Sequence, residues 1–374
     1  MELVHLRRLL LPLSAALVLS ACSDGGGSGS DDTLTGQIQS HGISGLTYRT
    51  RSREGTTDAQ GTFRYYPGET LTLKVGALPI ADTVPAKEFV SLLDFQPELR
   101  MALETSKVDS QNLIDHALTE STLLNNQELL NRTRFLMALN WTEVIQGDEG
   151  IDIRPRVIDQ LNAALNDPEL PSAVDFSIPS ADFEAQDSAA NLLLANICFH
   201  EKGDQLCEKP PTPAEIESAP ERPENDDEID PNVTYKQDLE SLRERILQSV
   251  RSIEDIDAQG AKEYLIKELA GITNAIGRQY YLSDHVASHA ASDTTLKSIS
   301  ISKVGGDIGL TKNGVEAIST RPQDVAVHTW SWQEAEVEYF VDGSAGGESE
   351  ILINFKPEND YRWIRKSLRV LITE

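Results

Sequence analysis

The chain has 374 residues, 33 of them Lys or Arg and 60 Asp or Glu, for a formal net charge of −27. A surface this acidic repels phosphate backbones, which excludes nucleic acid as a partner. Beyond residues 1–21 no apolar run approaches the ~20 residues a spanning helix needs, and the length suggests two or three domains.

At the amino terminus Arg7 and Arg8 precede an apolar run from Leu9 to Leu19, followed by Ser20, Ala21 and Cys22. A basic start, a short apolar stretch and small residues before a cleavage point mark a secretory signal peptide, here residues 1–21. Leu19-Ser20-Ala21-Cys22 resembles the lipobox of bacterial lipoproteins. That resemblance implies a diacylglycerol on Cys22, a mature chain starting there, and a membrane partner held through lipid. Ser23 follows the cysteine where members retained at the inner membrane often carry Asp, so the resemblance implies the outer membrane. Residues 22–33, rich in Gly, Ser and Asp, read as a flexible tether.

Residues 34–80 carry strand signals at Ile43–Arg51, Thr62–Tyr66 and Thr70–Val75, separated by turn residues. In the last, Leu71, Leu73 and Val75 alternate with Thr70, Thr72 and Lys74, which gives one buried and one wet face. Thr57-Asp58-Ala59-Gln60-Gly61-Thr62-Phe63, with Gly45-Leu46-Thr47-Tyr48 before it and Pro67-Gly68-Glu69-Thr70 after it, resembles a transthyretin-like or carboxypeptidase-regulatory-like β module. It also resembles the start of uncharacterised proteobacterial envelope lipoproteins, some labelled organic-solvent transporter permeases. The missing spans argue against permease activity. In this module Asp58 caps a turn, Gly61 supplies a positive φ and Phe63 pins the hairpin. A calcium-ligand role for Asp58 is the sharper alternative.

From 85 to 207 the pattern turns helical, with candidates at Lys87–Phe95, Ser110–Leu118, Asn126–Ile145, Arg156–Leu165 and Ser188–Cys198. Trp141 reads as packing. The loop Gly147–Ile153 offers Asp148, Glu149 and Asp152 as calcium ligands, although the spacing departs from an EF-hand. Cys198 and Cys207 remain as an even pair in an oxidising compartment and are expected to form a disulfide; His200 between them leaves a metal site as the alternative. Residues 208–231, rich in Pro and acids, read as an extended linker.

Residues 232–374 read as a helical hairpin, Tyr235–Ile256 and Ala261–Leu282 turning at Gly260, followed by an antiparallel β domain. Its strands are expected at Leu296–Val304, Val325–Trp332, Ala335–Val341, Glu350–Phe355 and Leu368–Thr373, with Asp342–Gly347 as a hairpin loop. His285 and His289, four apart, would share one face of a continuing helix, but Val286 stands where a zinc-hydrolase motif needs Glu. Glu334, Glu336 and Glu338 would form a ladder that pairs with Arg362, Arg365, Lys366 and Arg369. His328, Trp330 and Trp332 alternate and offer either a binding strip or core.

The expected fold is α+β and multidomain. It comprises a small β-sandwich-like module, a helical middle, an acidic Pro-rich linker, and a helical hairpin with a C-terminal antiparallel β domain. The expected role is a lipid-anchored cell-envelope protein that binds an envelope protein or polysaccharide, with no catalytic set and no cofactor evident beyond calcium. The alternatives are an envelope-polymer hydrolase using Glu334, Glu336 or His328, and a calcium-stabilised adhesin.

Overall fold

Alternating residues in the first module build two facing sheets. The computed structural model describes residues 32–225 and 228–374. Residues 1–21, Cys22 and the tether through residue 31 lie outside the described residues. Strands β1 (Leu34–Ile38), β2 (Ile43–Ser44), β3 (Leu46–Arg49), β4 (Glu54–Thr56), β5 (Thr62–Tyr65), β6 (Thr70–Val75), β7 (Leu78–Pro85) and β8 (Phe89–Val90) follow in order. One sheet runs β4-β3-β6-β7 and the other β5-β1-β8. The alternation in β6 buries Leu71, Leu73 and Val75 completely. Phe63 bridges the sheets, its ring 6.0 Å from that of Tyr48. The turn before it is held by Asp58, whose carboxylate accepts from the Gln60 and Thr62 amides and the Thr62 hydroxyl, with Gly61 at φ +71°.

The middle segment is helical but punctuated differently from its periodicity. Phe89 and Val90, aromatic and β-branched, extend the β1 sheet, so the helix expected at Lys87–Phe95 shrinks to a 3-10 turn at Leu92–Phe95. Helices α1 (Pro97–Leu103), α2 (His116–Leu123), α3 (Gln127–Ala138), α4 (Pro155–Leu165), α5 (Ser180–Glu184) and α6 (Ala189–Leu194) follow. Helix α2 starts where the Asp115 carboxylate caps the Ala117 amide, six residues later than the expected Ser110 start. Helix α3 stops at Ala138 rather than Ile145. The Arg251 guanidinium takes the carbonyls of Ala138, Asn140 and Trp141, and the chain turns away there. Strand β9 (Ile151–Asp152) then pairs in parallel with β2.

The acidic segment 208–231 is not extended throughout. Thr212 and Glu215 form a reciprocal cap, Pro213 occupies the first turn, and α7 (Pro213–Ser218) results. Helices α8 (Lys236–Gln248) and α9 (Ala258–Gly277) also differ from the expected hairpin. Gly260 lies inside the first turn of α9, where its amide donates to the Asp257 cap. Helix α8 packs chiefly on α7, and α9 on α3.

The carboxyl-terminal strands are β10 (Tyr280–Leu282), β11 (Val286–Ala290), β12 (Lys297–Lys303), β13 (Leu310–Ser319), β14 (Val325–Ser331), β15 (Glu336–Val341), β16 (Glu348–Pro357) and β17 (Ile364–Thr373). They form two four-stranded sheets, β10-β12-β15-β14 and β11-β17-β16-β13. The second is mixed, because β11 runs parallel to β17. The Asp342–Gly347 loop therefore carries the chain from one sheet to the other and is not a hairpin.

Residues 33–374 form one compact unit with two hydrophobic cores. The first joins the β module to the helical middle and takes Ala261, Tyr264, Leu265 and Leu269 of α9. The second fills the carboxyl-terminal sandwich and takes Ile272 and Ile276 of the same helix. The boundary between cores thus falls inside α9 rather than at the Pro-rich segment. No helix among the described residues is long and apolar enough to cross a membrane. The chain is a mixed α+β protein.

Candidate binding cleft

Where α2, α9 and β17 meet they enclose an open cleft of about 840 Å³. Its floor includes Leu124, Leu269 and Trp363, with His116 beneath. The His116 Nδ1 accepts from the Trp363 amide at 3.2 Å, so this nitrogen is unprotonated. Nε2 carries the proton and donates to the Thr273 hydroxyl at 3.1 Å. Burial and the neighbouring Arg362 push the His116 pKa down to about 4. Both ring nitrogens are thus spent on tying three elements together, and the imidazole is uncharged at neutral pH.

Behind His116 lies a buried ionic cluster. The Tyr361 hydroxyl donates to Glu120 at 2.6 Å, and the Arg362 Nε stands 3.6 Å from the same carboxylate. Arg362, fully buried, also pairs with Asp360 at 3.2 Å. Burial raises the Glu120 pKa, against the pull of Arg362. Burial also acts on Asp94, but Lys87 and Arg362 outweigh it and hold that carboxyl below the ordinary range. The cluster carries the Asp360–Trp363 segment into the first core and so fastens the sandwich to the helical middle.

A second constellation joins Ser40, His41 and Glu268. Glu268 is fully buried on α9 and accepts from the Ser40 amide (2.7 Å), the Ser40 hydroxyl (2.9 Å), the His41 amide (3.0 Å) and the His41 Nδ1 (2.6 Å). The residue types suggest a nucleophilic triad, but the geometry does not. Such a triad places serine on one imidazole nitrogen and the acid on the other. Here both meet Nδ1, and the serine hydroxyl already serves the carboxylate. The trio clamps the loop after β1 onto α9.

The residues singled out from sequence are scattered. Cys22 lies outside the described residues. Cys198 and Cys207 form a disulfide with Cα atoms 5.4 Å apart. The His200 carbonyl accepts from Arg156, and no metal set forms there. In the acidic loop Asp148 is 92% exposed and 3.8 Å from both the His41 Nε2 and the Lys267 Nζ. Asp152 pairs with Arg154 and accepts from Ser44, while Glu149 is exposed. Lys267 and Arg154 stand beside Asp148 and Asp152, and no cluster of three or more metal-ligating side chains occurs among the described residues. The loop's glycine has a packing role: a Cβ on Gly150 would sit 2.2 Å from the His41 and Gly42 carbonyl oxygens.

The aromatic strip is broken. Strand β14 bulges between Val327 and Thr329, so His328 sits beside Phe340 on the outer face. Trp330 is opposite Val337 on an edge strand, 46% exposed, and Trp332 lies in the following turn against the second core. Glu334 is in that turn, while Glu336 and Glu338 line the outer face of β15. Their expected basic partners lie on or beside β17 in the other sheet, where Arg362 pairs with Asp360, Arg365 with Asp109 and Arg369 with Glu348. His285 precedes strand β11 and His289 lies within it, so no helix brings them onto one face, and His289 bonds the Tyr339 hydroxyl at 3.0 Å.

Sequence reasoning missed Glu268 and His116, and it gave Arg362 the wrong partners: the guanidinium is buried with Glu120 and Asp360 rather than facing the glutamates of β15. One signal was present: Glu268 interrupts the apolar stripe Leu265, Leu269, Ile272 and Ile276, where an acid must be buried.

No protein-family model matches this chain, and no curated protein does. Among solved structures it is similar to domains 4 and 5 of the S-layer protein SbsC, with a TM-score of 0.20 and 15% identity over 25% of this chain and 51% of that one. It is also similar to domains 1–6 of surface layer protein SbsC, with a TM-score of 0.19 and 16% identity over 25% of this chain and 12% of that one. The chain thus spans about half the length of the first and far less of the second. Likeness at these TM-scores carries no argument about fold or function.

Proposed function

We propose that this protein is a lipid-anchored cell-envelope protein whose folded unit binds another envelope component. The anchoring half rests on Cys22 behind a signal-peptide-like run. The binding half rests on one observation, the open cleft at the α2–α9–β17 junction. Its volume falls within the ~300–1,000 Å³ range of small-ligand sites. The Cys198–Cys207 disulfide fits an oxidising compartment, since such bonds persist outside the cytosol. Lipid would hold the chain at the membrane, the tether would let the unit stand off, and the cleft would face the ligand. The alternatives of hydrolysis and calcium-dependent adhesion gain no support from the scattered positions of Glu334, Glu336, His328, Asp148 and Asp152.

Fractionation of cells expressing wild type or Cys22→Ala tests the anchor. The wild type is expected in the detergent-soluble membrane fraction and the variant in the soluble fraction. Equal solubility of the two forms would sink the proposal.

A further inference from the structure

A second cleft, of about 650 Å³, opens where the β module meets the sandwich. The link from β7 to β8 supplies Glu88, the passage from α9 into β10 supplies Gln279 and Tyr280, and the turn after β16 supplies Glu358. Tyr65 of β5 and Lys303 of β12 also face it. The Gln279 side-chain amide donates to the Glu88 carboxylate at 2.5 Å and ties the two walls together.

Two features of the lining point to a ligand. The first is a pair of unpartnered phenols. Tyr65 and Tyr280 are each only 5% exposed, yet no hydrogen bond reaches either hydroxyl among the described residues. A buried phenol ordinarily has a partner. Both hydroxyls lie in the field of the cleft's acids. Burial and Glu88 hold the Tyr65 pKa above its ordinary value, and burial, Glu88, Asp360 and Glu358 do the same for Tyr280. The phenols and the carboxylates therefore share one space.

The second feature is charge. Lys87 is neutralised by Asp94 at 2.8 Å, and Asp360 by Arg362 at 3.2 Å. Glu69 accepts from the Ser52 hydroxyl and the Tyr66 amide, neither of which is a cation. That leaves the carboxylates of Glu69, Glu88 and Glu358 against the single ammonium of Lys303, which lies 5.6 Å over the Tyr280 ring. The excess is negative, and it favours a cationic ligand. The acids are spread along the lining rather than gathered: no group of three or more metal-ligating side chains occurs among the described residues. A metal ion draws its oxygens to within about 2.6 Å. Separated carboxylates and phenol oxygens instead suit an extended cation with several N–H donors.

We infer that this cleft binds a linear alkyl polyamine, with ammonium groups at Glu88 and Glu358 and N–H groups donating to the Tyr65 and Tyr280 hydroxyl oxygens. The inference goes beyond the binding role proposed above, uses a different cleft and does not depend on the anchor.

The test is calorimetric titration of the full chain carrying Cys22→Ala with spermidine in about 0.15 M salt, where diffuse surface attraction is screened. Butylamine and magnesium are the comparison ligands. Saturable one-to-one binding of spermidine is expected, with both comparison ligands at least about tenfold weaker. Glu88→Gln/Glu358→Gln should weaken spermidine binding about tenfold or more. Glu336→Gln/Glu338→Gln removes the same charge from the outer face of β15 and should bind like the parent. Tyr65→Phe/Tyr280→Phe changes no charge and should also weaken binding about tenfold. Its melting curve should match the parent, because the lost hydroxyls bond nothing in the free protein. The inference is overturned by absence of saturable binding, or by butylamine or magnesium binding as tightly as spermidine. It is equally overturned if the β15 variant loses as much as the glutamate variant of the cleft, or if the cleft variants bind like the parent. Any of these results would leave the fractionation result on Cys22 standing.

Discussion

At the residue scale the most informative side chains are buried polar ones. His116 has a pKa of about 4 in the folded protein, below the ordinary value of 6.5, because burial disfavours the imidazolium. The unfolded chain therefore takes up this proton first as the pH falls. Stability from this group is fully present above pH 6.5 and is lost on acidification towards pH 4. The loss is on the order of 3 kcal/mol. The urea midpoint of the wild type should fall more between pH 7 and pH 4.5 than that of His116→Gln, and equal slopes would contradict the assignment. Glu268 belongs to the same class. Its carboxylate satisfies two amides, a hydroxyl and an imidazole away from water. Glu268→Ala should cost about 3–5 kcal/mol, read from chemical denaturation, because it strands those donors.

At the element scale, α9 decides the architecture. Its periodicity was readable, and so was an approximate start, but its partners were not. A 20-residue helix is about 30 Å long, enough to pass from one core into another. The same stripe that suggested a hairpin with α8 instead meets α3 at one end and the sandwich at the other. Amphipathic spacing states which face is buried and is silent on what buries it. The β2–β9 pairing is a second example. It brings Gly150 against the His41 and Gly42 carbonyls, and Gly150→Ala should lower the melting temperature by several degrees with the disulfide intact. An unchanged melting temperature would show that the loop can move aside.

At the scale of the whole molecule, the shared helix and the buried Arg362 cluster couple the two cores. Unfolding of residues 33–374 is expected as one calorimetric transition, where domains split by a free linker at 208–231 would give two. The Cys198–Cys207 loop is short, so reduction should cost roughly 2–3 kcal/mol in the chain-entropy picture. A melting temperature unmoved by reductant would show that the helical middle holds that loop without the bond.

The β module was legible because its strands alternate every second residue and its turn residues have local chemistry: Asp58, Gly61 and Phe63 act within a few positions of one another. The same holds for most carboxyl-terminal strands, whereas the cap that starts α7 was missed because the Pro-rich, acidic composition of residues 208–231 read as extended linker. The cysteine pair was legible because two thiols nine residues apart have few other partners in an oxidising compartment. What tertiary structure alone decided is every contact between distant segments. His116 with Trp363, and Ser40 and His41 with Glu268, are separated by scores of residues or more. Local periodicity and turn chemistry act over a few residues, whereas such groups meet only after both cores have formed.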